Sequence, residues 1–92
     1  MLTVLTSAQF EKDYRTIIKS GTRDLKKIKT VMHMLVMGIP LDPKYKDHKL
    51  IGNYKGRREC HISPDWLLIY KYIDADKILF ERTGSHSELF KK

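Results

Sequence analysis

Arg57-Arg58-Glu59-Cys60-His61-Ile62-Ser63-Pro64-Asp65-Trp66-Leu67-Leu68-Ile69-Tyr70 is the stretch on which the fold turns. Two runs rich in strand-forming residues flank Ser63-Pro64-Asp65, whose residue types make a turn, so the segment reads as a β-hairpin. Its first strand alternates, with Cys60 and Ile62 on one face and Glu59 and His61 on the other. Its second strand is apolar on both faces, Leu67 and Ile69 against Trp66, Leu68 and Tyr70. Such a strand is central to a sheet: helices are expected over one face, and a groove or a partner over the other. His61 before the turn, and Asp65 and Trp66 at its exit, put acid–base groups and an aromatic surface on a rigid element.

Upstream of the hairpin, residues 2–5 form a short apolar run suited to a strand. Thr6-Ser7-Ala8-Gln9 fits a capping box, and Phe10, Tyr14, Ile17 and Ile18 follow at helical spacing. A first helix over 7–20, ended by Gly21, is expected. A second, over 22–37, starts from a Thr22 cap, carries Leu25, Ile28, Met32, Leu35 and Val36 as its apolar stripe, and stops at Gly38 and Pro40. His33 falls off that stripe and reads as a surface residue. Residues 39–56 are irregular, and loops of that length in a small domain are usually functional.

Downstream, strands over 57–62, 66–73 and 78–83 are joined by the turn at Ser63–Asp65 and a polar turn at 74–77. Ser85-His86-Ser87-Glu88 fits another capping box, opening a short turn that carries Leu89 and Phe90. His86 then takes the first helical position, where phosphate is favoured. Lys91 and Lys92 read as a frayed end. The expected fold is α+β: one domain over 1–92, two N-terminal helices packed on a mainly antiparallel sheet of about four strands, in the order β-α-α-β-β-β.

Length and composition narrow the function. The 92 residues allow one modest core, and 41% hydrophobic residues argue against disorder. No apolar run approaches the roughly 20 residues needed to cross a bilayer. The N-terminal stretch lacks the basic start and longer apolar core of a signal peptide. The single cysteine, Cys60, fits a reducing compartment, so a cytoplasmic protein is expected. Alternating with Ile62, it reads as a small core residue rather than a nucleophile.

The formal net charge is +7. Lys44, Lys46, Lys49, Lys55, Arg57 and Arg58 face a single acid, Asp47, within one short window. A polyanionic partner follows, either nucleic acid or an acidic protein. Lys46, Lys49, Arg57 and Arg58 are the candidate substrate-binding cations.

The remaining chemistry gathers in His48, His61, Asp65, Trp66, Arg82, His86 and Phe90. Metal-free RNA cleavage needs a base for the 2′-hydroxyl, an acid for the leaving 5′-oxygen and positive charge for the phosphorane. Histidine serves either proton role at neutral pH, arginine's fork matches a phosphate, and Trp or Phe can stack on a base. A metal site is the first rival. The histidines at 48, 61 and 86 lack the short ligand spacings of common zinc sites, and no Cys-x-x-Cys is present, so no metal and no other cofactor is expected. A non-catalytic basic nucleic-acid-binding module is the second rival: it accounts for the charge but not for the histidines.

Three runs carry a resemblance over essentially the whole chain: Tyr45-Lys46-Asp47-His48-Lys49-Leu50-x-Gly52, Arg58-Glu59-Cys60-His61-Ile62-x-Pro64-Asp65-Trp66-Leu67-Leu68-Ile69-Tyr70, and Arg82-Thr83-Gly84-Ser85-His86-x-x-Leu89-Phe90. Together they resemble the YafQ branch of the RelE/ParE toxin superfamily. The resemblance implies a toxin of a type II toxin–antitoxin pair, an endoribonuclease that enters the ribosomal A site and cuts messenger RNA without a metal. It further implies that His48, His61, Asp65 and His86 surround the scissile phosphate. Arg82 would stabilise its charge, and Trp66 and Phe90 would shape the nucleotide site. Which histidine is acid and which is base does not follow from sequence; from its place at the helix start His86 is expected as the general acid, with His48 or Asp65 nearer the 2′-hydroxyl and His61 orienting. The implied partners are the ribosome, its message and a cognate antitoxin of the DinJ or RelB kind, with no membrane. Lys49 departs from the proline common in the family, which touches loop conformation and codon preference. Gyrase-poisoning members of the superfamily, which lack this histidine set, supply an alternative of another class.

Overall fold

A central strand that is apolar on both sides organises the molecule. In the computed structural model, which describes residues 1–90, that strand is β4, Trp66–Asp74. β3 (Arg58–Ser63) and β5 (Lys77–Gly84) pair with it antiparallel on either side. β1 (Thr3–Thr6) adds to β5 in parallel, and β2 (His48–Lys49) adds to β3 antiparallel. The sheet order is β1-β5-β4-β3-β2. Lys91 and Lys92, read as a frayed end, lie outside the described residues.

The expected architecture holds, with five strands in place of about four. The extra strand is β2, two residues inside the stretch that read as loop. Its period is too short to leave a pattern; only its pairing with Arg58 and Glu59 makes it a strand.

Both N-terminal helices form, with different caps from those expected. α1 spans Ala8–Ser20 and is capped by Ser7, whose hydroxyl accepts from the Phe10 N–H at 2.9 Å. Thr6 is the last residue of β1, registered against Phe80, so it is not available to cap. α2 spans Leu25–Met37 and is capped by Asp24, not Thr22, so it starts later than expected. Gly21 and Gly38, at φ 64° and 72°, end the helices in the left-handed conformation that glycine adopts without a Cβ clash.

Phe10 and Ile17 of α1 and Ile28, Val31 and Leu35 of α2 pack on Cys60, Ile62, Trp66, Leu68, Tyr70, Ile78 and Phe80 from the sheet. Ile18, expected in the α1 face, is 51% exposed, because it lies one residue off the Phe10–Ile17 line; Val31 of α2, outside the expected stripe, is fully buried. Each such side chain contributes about 1.5–3 kcal/mol of hydrophobic stabilisation. Cys60 is part of this core, and burial pushes its thiol up to about 12.

The opposite face of β4 has its own small cluster. Leu67 and Ile69 are fully buried beneath Leu89 of α3 (His86–Leu89), with Leu50 and Tyr54 packed alongside. The long loop and the last helix thus roof Leu67 and Ile69 on this second face, which also carries His48, Glu59, His61 and Arg82.

Candidate active site

Sheet register aligns the polar residues of the second face. His48, Glu59, Ile69 and Arg82 form one lateral row across four strands, since His48 registers with Glu59, Glu59 with Ile69 and Ile69 with Arg82. Two residues along, His61, Leu67 and Gly84 form the next row on the same face. Gly84 leads directly into Ser85 and His86. A Cβ at Gly84 would lie 3.0 Å from Glu88 Oε1 and 3.3 Å from Leu89 Cδ2, so it would push on the side chains of α3.

The side chains in these rows touch in sequence. Glu59 is 4% exposed, and its Oε1 lies 3.7 Å from His48 Nε2 and 3.4 Å from His61 Nε2. The His48 and His61 rings are 6.3 Å apart, and the His61 and His86 rings 5.6 Å. Beyond them, Asp65 Oδ1 accepts from the His86 backbone N–H at 2.9 Å and meets His86 Nδ1 at 2.6 Å. The hydrogen bond from the His86 backbone, then that from its ring, holds the Asp65 carboxyl below its ordinary range. The result is one continuous array, His48–Glu59–His61–His86–Asp65.

Local sequence builds each end of it. Ser85 caps α3 with a reciprocal capping box, its hydroxyl accepting from the Glu88 N–H and Glu88 accepting from the Ser85 N–H at 2.7 Å. His86 does take the first helical position, but its N–H is donated to Asp65 and is not free for phosphate. Asp65 holds Nδ1 of His86, leaving Nε2 for a substrate. His48 Nδ1 meets the Lys49 carbonyl at 3.1 Å, while its Nε2 faces Glu59 at 3.7 Å, outside hydrogen-bond distance.

Arg82 is held rather than loose. Its guanidinium donates to Asp13 of α1 at 2.8 and 3.2 Å, and the Thr83 N–H donates to the same carboxylate. That ion pair, chiefly its hydrogen bond, raises the arginine's pKa further. Phe90 is 39% exposed and meets Tyr54 edge-on at 5.5 Å, at the margin of the roof.

Five expected substrate contacts need correction or refinement. Trp66 is 3% exposed, its indole N–H donated to the buried Thr83 hydroxyl at 2.9 Å, so its ring belongs to the core and offers no stacking face. The Arg57 Nε–H is shared between the two carboxylate oxygens of Glu81, each at 2.9 Å. Arg58 pairs with Asp47 at 2.8 Å. Both arginines tie the loop to the sheet. Lys46 and Lys49 are exposed, Lys49 alternating away from the His48 face.

Glu59 is the residue that sequence reasoning passed over, although alternation had already put it beside His61. Asp13 and Asp47 were also missed, and no local signal marks either. The metal expectation changes as well. The ligand atoms of His48, Glu59 and His61 all lie within 4.8 Å of one another. Two imidazoles and a carboxylate suit a zinc or copper ion. Glu59 and His61 alternate on β3, but His48 joins them only through the β2–β3 pairing, so ligand spacing along the chain could not reveal the set.

A small α+β protein with an acid–base array on the face of its sheet opposite the two N-terminal helices is the class that fold and site define. The comparisons make it specific. Residues 2–91 match the family described as "Bacterial toxin of type II toxin-antitoxin system, YafQ". The chain is 45% identical over 86 residues to the mRNA interferase toxin YafQ of Escherichia coli K12, covering 91% of this chain and 90% of that protein. It superposes on the E. coli DinJ–YafQ complex structure with a TM-score of 0.88 at 41% identity, covering 98% of this chain and 99% of that one. A metal-bound toxin from Helicobacter pylori gives 0.88 at 46% identity, covering 98% and 100%. The chain belongs to the YafQ family of bacterial type II toxin–antitoxin toxins. Among the described residues no helix is long and apolar enough to cross a membrane.

Proposed function

We propose that this protein is an endoribonuclease that cuts messenger RNA in the ribosomal A site by attack of the 2′-hydroxyl on the adjacent phosphate. The observation that carries the reading is the His48–Glu59–His61–His86–Asp65 array, in a chain whose E. coli relative is named an mRNA interferase toxin. The 2′-oxygen forms a bond to phosphorus as its proton passes to a base, and the bond to O5′ breaks as an acid protonates that oxygen. Asp65 orients the His86 ring, and His86 Nε2 is the acid. On the 2′-hydroxyl side the base is Glu59, His48 or the pair, with the His61 ring held beside them. Arg82, fixed by Asp13, presents its charge to the phosphorane.

No step requires a metal. A divalent transition ion held by His48, Glu59 and His61 would occupy the proton-transfer groups, so zinc or copper inhibits. The metal-bound relative from H. pylori fits that capacity. At fixed ribosomal magnesium, micromolar copper should reduce cleavage and chelator should restore it. Stimulation by the ion would contradict the reading.

Its partners are the ribosome with its message and an antitoxin, as the E. coli relative is found with DinJ. The antitoxin's acidic segment covers the basic loop or the His61/Arg82/His86 groove. Work on a ribosome-bound message places the protein in the cytoplasm. Primer extension on a translated message, with and without the protein, tests the whole reading. Discrete cuts in the A site are expected, and intact message at saturating protein would refute it.

A further inference from the structure

The basic window does not point at the face of the acid–base array alone. A cleft of about 530 Å³ lies on the helix side of β3, between α2, the 3-10 turn Pro43–Tyr45 and the β3–β4 turn. Its lining includes Lys26 and Lys27 from α2, Lys44 and Lys46 from the 3-10 segment, and Tyr45. Among the described residues none of these four lysines pairs with a carboxylate; the Lys44 ammonium sits 5.2 Å from the Tyr45 ring. Four cations on the walls of one cleft, with no internal counter-charge, repel one another and call for an external anion.

Two observations connect this cleft to the acid–base array. His61 lines it directly. A second hollow, of about 430 Å³, shares Lys27 and Ser63 with it and is bounded by Arg23, Asp24 and Asp65. The β3–β4 turn is therefore a wall with the array on one side and a basic trough on the other, touched by His61 at one point and Asp65 at another. A strand whose phosphate sits at His61 and His86 would have its neighbouring phosphates within this trough.

We propose that the trough holds the message itself: the phosphodiester backbone on one side of the scissile phosphate runs through it, its charges met by Lys26, Lys27, Lys44 and Lys46. This rests on the ribonuclease reading above. The trough sets grip on the strand, not the chemistry, because none of its lysines belongs to the array.

The test uses the full chain and a twelve-nucleotide single-stranded RNA labelled for fluorescence anisotropy, without ribosomes. A Lys26→Gln/Lys27→Gln/Lys44→Gln variant is compared with Lys12→Gln/Lys19→Gln/Lys29→Gln, which has the same net charge. The trough variant should bind at least tenfold more weakly and lose about 2 units of log K against log salt, about 0.7 per lost phosphate contact. The control should stay within twofold of wild type. Equal losses in both variants, or no binding by wild type, would overturn the proposal. So would a trough variant that loses affinity for an acidic antitoxin peptide while keeping it for RNA. In ribosome complexes, 4-thiouridine within about five nucleotides of the cut should crosslink to the Lys44–Tyr45–Lys46 peptide from one side only; crosslinks from that peptide to ribosomal RNA instead would overturn it. If the wild-type chain fails to cut ribosome-bound message, the ribonuclease reading falls, while the anisotropy comparison still decides the trough.

Discussion

At the scale of single residues, Glu59 sets the character of the site. A nearly buried carboxylate between two imidazoles both holds their orientation and offers a proton acceptor. Glu59→Gln keeps its volume and removes its charge, so primer extension should find cleavage reduced ~10²-fold or more, the usual cost of losing an acid–base group, with little change in melting. Activity near wild type would remove Glu59 from the chemistry. Cys60, one residue on but facing the opposite side, does something different. Its thiol is raised to about 12 by burial, against about 8.5 in an unfolded chain. A group whose folded pKa is raised stabilises fully below its unfolded pKa and loses that contribution as pH climbs toward the folded one. Urea midpoints should therefore fall from about pH 8.5 upward in wild type, and fall less in Cys60→Ala. Parallel profiles would contradict this.

At the scale of elements, β2 is the piece that most needs outside support. Two residues long, it carries His48, and it is anchored through its neighbour Asp47. That carboxylate accepts from the Tyr70 hydroxyl at 2.5 Å and from Arg58 at 2.8 Å. Tyr70 is fully buried on the central strand, and burial followed by the bond to Asp47 raises its hydroxyl's pKa. Tyr70→Phe keeps the ring in the core and removes the tie. It should cost about 1.5–3 kcal/mol in urea unfolding, the range for a hydrogen bond to a charged partner, and broaden the His48 ring resonances. A sharp, unmoved His48 signal would mean that β2 stands without the clamp. The same contrast separates what was legible in sequence from what was not. α1, α2 and the hairpin carry periodicity or turn chemistry within a few residues, so their existence could be read, as could the Ser85–Glu88 capping box. The Asp24 cap lost to Thr22 in the reading because both residues are good caps and only the chain path chooses. β2, the Asp47 clamp and the Asp13–Arg82 pair arise from contacts between distant segments. So does the burial of Trp66, which alternation grouped with Leu68 and Tyr70 on one face of the strand yet which read as a stacking surface because of its residue type.

At the scale of the molecule, one sheet divides two tasks. Its helix-covered face supplies the core, and the β3–β4 turn at its end separates a lysine trough from the acid–base array. The opposite face, roofed by the long loop and α3, holds that array between fixed strands. Charge is divided likewise: Arg57, Arg58 and Arg82 are bound to carboxylates inside the protein, while lysines line the trough. The central claim is that this arrangement cleaves RNA through the message's own 2′-hydroxyl, with His86 protonating the leaving oxygen. The most direct measurement places a single 2′-deoxynucleotide at the cut site of a ribosome-bound message and analyses the fragment ends. The all-ribose message should yield a 2′,3′-cyclic phosphate, or its 3′-phosphate hydrolysis product, and a 5′-hydroxyl, whereas the deoxy-substituted message should remain whole. Cleavage of the deoxy-substituted message at that position would contradict the account.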